Sequence, residues 1–392
     1  MRAPGDEGPD RLRVAVTVEQ SWQPVPGGTA SSTNALLAEL ARRDDLRVWG
    51  VAAAHRRPAP GPWQPPVPVH HLPLPRLALY RTWPSLRWPA VTAGRGPRPD
   101  VVHATSPAVP PSAVPLVATV HDLAFLERPD LYTPRGVRFL TRGTTLAREQ
   151  AAAVVVPSRA VLEECLVAGF DTGRLSVVPH GVSVPDVAPS QVADLRRRLD
   201  LPGEYVLWCG THEPRKNLAT LLRAFELLVA DGRDLHLLLV GPQGWGPLAV
   251  PAAPVAARVR TAGFLDPADL HAAYAGAAVM AYPSLREGFG MPVLEAMAHG
   301  VPVVTTRGSA MAEFATGAGV LVDPTDPAAV AAGVDAALSD AAALGAQGLR
   351  TAAGMTWAAA AARLAAVYAR AAGRPDGASG AGDPGGAGAA PR

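Results

Sequence analysis

Pro283-Ser284-Leu285-Arg286-Glu287-Gly288-Phe289-Gly290-Met291-Pro292-Val293-Leu294-Glu295-Ala296-Met297 follows directly on the apolar run Val279–Tyr282. A buried strand, a glycine-bearing loop and a helix, in that order, are the repeating piece of a parallel α/β sheet. Gly288 and Gly290 allow backbone amides to come close to a ligand. Pro292 suits a first helical turn, and Gly300 is placed to end the helix. Glu287 falls in the loop and Glu295 in the helix. Carboxylates accept hydrogen bonds from vicinal hydroxyls, so one can hold a sugar and the other a ribose.

A second junction of the same kind lies upstream. Gly210-Thr211-His212-Glu213-Pro214-Arg215-Lys216-Asn217-Leu218 separates the run Tyr205–Cys209 from a helical pattern carried by Leu218, Leu221, Leu222, Phe225, Leu228 and Val229. Pro214 is read as the first turn of that helix. A helix N-terminus offers unpaired N–H groups and partial positive charge. With Arg215 and Lys216 added, the junction suits a dianion such as a nucleotide diphosphate, arginine binding bidentately and lysine as a point charge. The chain contains one lysine, two asparagines and no isoleucine among abundant Ala, Arg, Gly and Pro. Against that background the pair Lys216-Asn217 needs a reason.

Outward from these junctions, short apolar runs alternate with helical patterns. One series comprises Arg13–Val18, Val48–Ala53, Asp100–His103, Val117–Val120, Ala153–Val156 and Leu175–Val178. A second comprises Tyr205–Cys209, Leu235–Val240, Arg258–Ala262, Val279–Tyr282, Val301–Thr305 and Val320–Val322. The pattern predicts an α/β fold with two doubly wound domains facing each other. The expected layout is a tail over 1–10, a first domain over 11–183, a linker over 184–200 and a second domain over 201–355. A helix over 356–372 and a Gly/Pro/Ala-rich tail over 373–392 follow, both tails being read as disordered. Gly27 and Gly28 are expected in a loop over 24–29 that precedes a helix around 33–43.

The stretch His55–Pro99 is Pro-rich and carries Trp63, Tyr80, Trp83, Trp88 and several arginines. It reads as an irregular surface insert with a short helix broken at Pro84. Its interleaved arginines and aromatics suit either a packed surface helix with solvated arginines or contact with a membrane surface or a lipid-linked acceptor.

Of the 392 residues, 48% are hydrophobic, and the formal net charge is +2. That size accommodates two cores, and the near-neutral balance gives no support to nucleic-acid binding. No apolar run reaches the length of a membrane span, and Met1–Asp10 is too polar for a signal peptide, so a cytoplasmic location is expected. Cys165 and Cys209 lack the spacing of a disulfide framework or a zinc site. No Gly-x-Gly-x-x-Gly follows Val18, which argues against a dehydrogenase.

The segment Glu287–Glu295 resembles the Glu-x7-Glu motif of the retaining GT-B glycosyltransferases, glycosyltransferase family 4. The likeness extends to Glu213–Leu218, Leu238–Gly241, Gly263–Ala278, Glu287–Thr306, Gly319–Pro324 and the Thr356-Trp357 helix. In the first half it takes in Asp100–His103, Val120–Leu123, Val156–Ser158 and Val178–Val182. It implies two Rossmann-like domains facing across a cleft, a last helix that crosses back onto the first domain, and a hexosyltransferase, mannosyltransferase-like, that moves sugar from a nucleotide-diphosphate sugar to an acceptor hydroxyl. By that likeness Glu287, Lys216, Arg215 and His121 stand at the reacting bond. Gly27, Gly28, Gly210, Arg215, Lys216, Gly288, Phe289, Gly290, Leu294 and Glu295 would line the donor, with Glu295 on the ribose. His103 is expected as a strand-end core histidine. No Asp-x-Asp motif or metal-ligand cluster is found, so no cofactor is implied. The family's first loop commonly continues Gly-Gly with a β-branched residue, glycine and an aromatic. Here Gly28 is followed by Thr29-Ala30-Ser31, a departure on the acceptor side. The acceptor itself is unspecified: a lipid-linked saccharide, a polysaccharide end or a small molecule. UDP-, dTDP- or ADP-sugar donors, and a non-catalytic sugar-nucleotide-binding subunit, are the alternatives.

Overall fold

The computed structural model describes residues 11–23, 27–93, 96–245 and 249–374. The expectations for both terminal tails, and for Pro24–Pro26 of the first loop, lie outside those residues.

Two all-parallel sheets organise the chain. The first holds β1 (Leu12–Thr17), β2 (Leu46–Ala52), β3 (Val69–His71), β4 (Val101–Ala104), β5 (Leu116–Thr119), β6 (Ala153–Val156) and β7 (Leu175–Val177). Their order is β3-β2-β1-β4-β5-β6-β7. The second holds β8 (Glu204–Cys209), β9 (Leu235–Val240), β10 (Val259–Gly263), β11 (Val279–Tyr282), β12 (Val303–Thr306) and β13 (Val320–Val322), in the order β10-β9-β8-β11-β12-β13. Parallel strands are covered on both faces, so their residues are apolar on both sides. All four residues of Val279–Tyr282 are accordingly buried. In each sheet the order reverses beside the first strand, the doubly wound arrangement that opens a crevice at the carboxyl ends of the strands.

The final helix, Trp357–Ala371, returns to the first sheet. Its Ala360, Ala361, Leu364 and Tyr368 share a core with Leu37 and Leu40 of the Gly27–Leu40 helix and with Val14 and Val117. The Tyr368 hydroxyl meets His103 Nδ1 at 2.7 Å, and His103 Nε2 meets Thr119 Oγ1 at 2.8 Å. With both ring nitrogens engaged and burial pushing its pKa down to about 3, His103 is a neutral core histidine.

Three local expectations need correction. The first helix begins at Gly27, so Gly27 and Gly28 form its first turn and are not loop residues. Pro214–Lys216 is a separate one-turn 3-10 helix, and the α-helix starts at Leu218. Asn217 parts the two in a left-handed conformation (φ 55°), its side-chain amide donating to Pro283 O and Pro324 O at 3.0 and 2.6 Å. The insert over His55–Pro99 supplies edge strand β3 and the helix Arg76–Ser85, whose Leu79 and Trp83 are buried in the core. Pro84 sits in the last turn of that helix, where it removes one i→i−4 hydrogen bond, and the helix ends one residue later.

Among the described residues no single helix is long and apolar enough to cross a membrane. Cys165 and Cys209 are free thiols whose pKa values burial raises to about 12.

Candidate active site where the strand ends of the two sheets meet

Glu287 lies in the loop after β11 and is the hub of a buried ion cluster. Its Oε1 accepts from Lys216 Nζ at 2.5 Å, Ser284 Oγ at 2.8 Å and the Tyr282 hydroxyl at 3.1 Å. Its Oε2 faces Arg215 Nη1 at 3.0 Å. Burial alone would raise the carboxyl pKa, but Arg215, Lys216 and the hydrogen bonds from Lys216 and Ser284 outweigh it and hold it at about 2. Glu287 is therefore an anion at any working pH and can only accept hydrogen bonds.

Local structure explains how four side chains reach one carboxylate. The 3-10 turn after β8 directs Arg215 and Lys216 toward the end of β11, where Tyr282 is the last strand residue. Lys216 Nζ also donates to the Tyr282 hydroxyl at 2.6 Å. Ser284 Oγ lies 3.0 Å from Arg215 O and 3.2 Å from Arg286 O, tying turn and loop together. Arg215 Nη1 donates to Arg286 O at 2.8 Å and Nη2 to Glu213 Oε1 at 3.2 Å, while its buried Nε has no partner. Burial lowers the Lys216 pKa, with Glu287 opposing and Arg215 adding to the effect. Burial raises the Glu213 pKa, with Arg215 and Lys216 opposing. Arg215 and Lys216 thus share the firmly ionised Glu287, and Arg215 also pairs with Glu213.

Glu295 sits eight residues on, in the helix Met291–Ala298, and accepts from the Tyr274 hydroxyl at 2.8 Å. Burial lifts its pKa to about 7, the Tyr274 bond only partly opposing. Glu287 and Glu295 are the same residue type in one motif, and their environments push them in opposite directions.

The first sheet closes over this loop. A Cβ on Gly288 would lie 1.7 Å from His121 O, so the backbones touch there and only glycine fits. Ser158 Oγ donates to Gly288 O at 2.7 Å. Gly290 has φ +98°, and a Cβ on it would meet Met311 Cγ at 2.2 Å. Glu313, beyond β12, accepts from the amides of Arg159 and Ala160 at 3.0 and 2.8 Å. It thereby caps a helix that belongs to the other sheet. Arg286 pairs with Glu127 across the same boundary.

His121, at the end of β5, donates from Nε2 to Thr105 O at 3.0 Å, and burial lowers its pKa. Its Nδ1 is then an unprotonated acceptor. His180 lies with its ring centre 6.3 Å from that of His121 and 4.9 Å from that of Phe289, and burial pushes its pKa to about 3.

The structure thus gathers Arg215, Lys216, Glu287, Gly288, Phe289 and Gly290, with His121 against Gly288. Gly210 joins them, a Cβ there coming 3.5 Å from the Tyr282 hydroxyl. Leu294 is fully buried in the second core, so its side chain packs and does not face the cleft. Gly27 and Gly28 are exposed and share no hydrogen bond with the Glu287 cluster. Sequence reasoning missed Tyr282, Ser284, Tyr274, His180 and Glu313. Only the placement of Tyr282, Ser284 and His180 at strand ends could have marked them. Among the described residues no group of three His, Cys, Asp or Glu is arranged to hold a metal ion.

Comparison with known proteins bears on the family and the fold. Residues 26–184 match the domain Glycosyltransferase Family 4, and residues 203–340 match Glycosyl transferases group 1, together well over half of the chain. The chain belongs to the family 4 glycosyltransferases. It is 30% identical over 233 residues to O-antigen chain mannosyltransferase B of Escherichia coli, covering 57% of this chain and 61% of that protein. It is 37% identical over 215 residues to D-inositol 3-phosphate glycosyltransferase of Thermobispora bispora, half of each chain. The chain therefore spans between half and two thirds of the length of such relatives. In fold it is similar to Anabaena HepE in complex with UDP-glucose (TM-score 0.69, 19% identity, 91% of this chain and 98% of that one). It is also similar to WaaG, a glycosyltransferase involved in lipopolysaccharide biosynthesis (TM-score 0.65, 17% identity, 91% and 99%). This family 4 chain accordingly has the GT-B architecture, two Rossmann-like sheets with their carboxyl ends facing.

Proposed function

We propose that the protein transfers a hexosyl unit, with mannose favoured, from a nucleotide-diphosphate sugar to an acceptor hydroxyl, with retention and without a metal ion. The observation that carries this reading is the buried Arg215–Lys216–Glu287 cluster. Arg215 and Lys216 converge on the ionised Glu287, while Arg215 also reaches Glu213, whose carboxyl burial pushes toward the neutral form, so the cluster offers two cations to a diphosphate. The unpartnered Arg215 Nε is a further donor for it.

Arg215 and Lys216 would neutralise the leaving diphosphate, the work that a divalent ion does in metal-dependent transferases. Preorganised donors in a closed site are worth roughly 3–4 kcal/mol each. Glu287, always ionised, would accept from hydroxyls of the transferred sugar, and Glu295 from the ribose. The bond between the anomeric carbon and the phosphate oxygen breaks while the acceptor oxygen bonds to that carbon from the same face. The acceptor proton passes to the departing phosphate oxygen, so no protein nucleophile is needed. His121 would border the sugar with its unprotonated Nδ1. Contact of the two halves at Gly288 would exclude water and suppress hydrolysis.

Mannose is favoured by the likeness to the mannosyltransferase of E. coli. The UDP-glucose held by HepE favours testing uridine donors alongside. The acceptor would be a lipid-linked saccharide, a polysaccharide end or a small molecule, and the reading puts forward a cytoplasmic reaction. Thermal unfolding with GDP, UDP, dTDP or ADP tests the reading. A ligand at about 100 times its dissociation constant adds roughly 2.7 kcal/mol, a shift of several degrees. Stabilisation by one nucleotide supports the reading and names the donor class; stabilisation by none counts against it.

A further inference from the structure

From Leu46 to Pro99 the chain has eight arginines and neither aspartate nor glutamate. The fold sorts the side chains of this stretch into two sets. Leu79 and Trp83 are buried, and Arg87 donates to Trp83 O, Val109 O and Pro110 O. Leu77, Leu86 and Trp88 point the other way, 63, 71 and 53% exposed.

A second element completes this surface. The helix Pro134–Gln150 lies alongside Arg76–Ser85: Tyr80 stacks on Phe139 at 5.5 Å, and Arg142 Nη2 donates to Pro84 O at 2.8 Å. Arg135, Arg138 and Arg142 are spaced by three and four residues, so they form one stripe, and all three are exposed, as is Arg81. The helix has no acidic residue before Glu149. Exposed leucine and tryptophan tips thus stand beside guanidinium groups with no carboxylate from either helix before Glu149.

Apolar tips rimmed by charge of one sign mark an interaction site. Its occupant must offer anions in a plane with a shallow apolar layer beneath. A bilayer containing anionic lipid does both: tryptophan settles at headgroup depth, and arginine meets the lipid phosphates. A nucleic acid would supply the anions but leave Leu77 and Leu86 in water. We propose that the face formed by Arg76–Trp88 and Pro134–Gln150 docks on an anionic membrane surface. Glu287 pairs with Arg215 and Lys216 and not with Arg135, Arg138, Leu77 or Trp88, so the inference stands or falls independently of the transfer reaction.

The test is sedimentation of the full chain with vesicles of phosphatidylglycerol and phosphatidylcholine in equal parts, against phosphatidylcholine alone, at two salt concentrations. Binding is expected to the anionic vesicles only and to weaken as salt rises. Each arginine near an anionic surface is worth about fivefold in partitioning, so the double variant Arg135→Ala, Arg138→Ala should lose about 25-fold. Leu77→Ser with Trp88→Ser should also lower binding and make the remainder more salt-sensitive. Stabilisation by nucleotide should be unchanged in both variants, which separates lost docking from lost fold. Equal binding to neutral vesicles, no binding to anionic ones, or undiminished binding by both variants overturns the proposal. So does a dimer in solution that the variants dissolve without any vesicle binding, which would assign the face to a second copy.

Discussion

The carboxyl ends of the first sheet carry half-buried imidazoles, and those of the second carry ions with little exposure. His121 and His180 are held neutral by burial, whereas Glu287 is held ionised by Arg215 and Lys216. Both sets of side chains leave water at the same boundary, around Gly288. The difference lies in what each half can do there. A neutral imidazole can accept or donate one hydrogen bond beside a sugar without attracting a charged ligand. Arg215 and Lys216 on an ionised carboxylate suit a dianion. On the proposed reading the contrast divides the labour of transfer: the second half would capture the donor, and the first would shape and close the space around it.

Breaking the ion cluster should have the largest effect. Lys216→Ala and Glu287→Gln are each expected to lower turnover by about a thousandfold, the worth of one preorganised charge interaction in a closed site. Steady-state kinetics of either variant at unchanged fold, followed by circular dichroism, checks this. Undiminished turnover would remove the assignment of these residues.

Wedging the halves apart comes next. Gly288→Ala sets a Cβ against the carbonyl of His121, and a backbone cannot rotate aside as a side chain can. A misfit of about 1–3 kcal/mol is expected, lowering turnover roughly tenfold to a hundredfold. Nucleotide affinity should change little if the second half alone captures the donor. A matching loss of affinity would erase the division between the halves.

The pH dependence sharpens the contrast within the second half. Glu295 has a folded pKa of about 7, above its ordinary value. Its neutral form stabilises the fold at low pH, and that contribution is lost as pH rises through about 7. Ribose hydroxyls would bond best to the ionised form, so donor affinity should rise over the same window. Between one pH unit below and one above, the gain should approach tenfold, and Glu295→Gln should flatten it. Glu287, held at about 2, contributes in the opposite sense, its stabilisation vanishing only as pH falls through that value.

The smallest effect is expected at Glu313. Glu313→Gln weakens a charge-assisted cap between the halves by about 1 kcal/mol, or roughly fivefold in closure. Turnover should fall by that factor with nucleotide affinity unchanged; an unaltered rate would show that the cap does not couple to closure.

How much was legible in the sequence follows the same physical lines. Strands buried on both faces are continuous apolar runs, so Ala153–Val156, Leu235–Val240 and Val279–Tyr282 are read residue for residue, as is the apolar edge strand Val320–Val322. Edge strand Val69–His71 is three residues long, ends in two histidines and lies among prolines, so it carries no such run. Gly27-Gly28 reads as loop because glycine disfavours helices, yet the first turn tolerates it. Arg215, Lys216 and Glu287 were visible because charge beside a strand end is unusual. Their partners Tyr282 and Ser284 were hidden, since a tyrosine ending an apolar strand looks like core. Glu313 was out of reach, because its partners lie more than 150 residues away in the chain.

Calorimetric titration, with chelator present throughout, tests the central claim most directly. The nucleotide diphosphate that stabilises the chain is titrated into the unaltered protein and into Lys216→Ala. The account predicts binding to the unaltered protein that the chelator does not weaken and that the variant loses by a hundredfold or more, about 3 kcal/mol. Equal affinity in the two proteins, or binding abolished by the chelator, would contradict it.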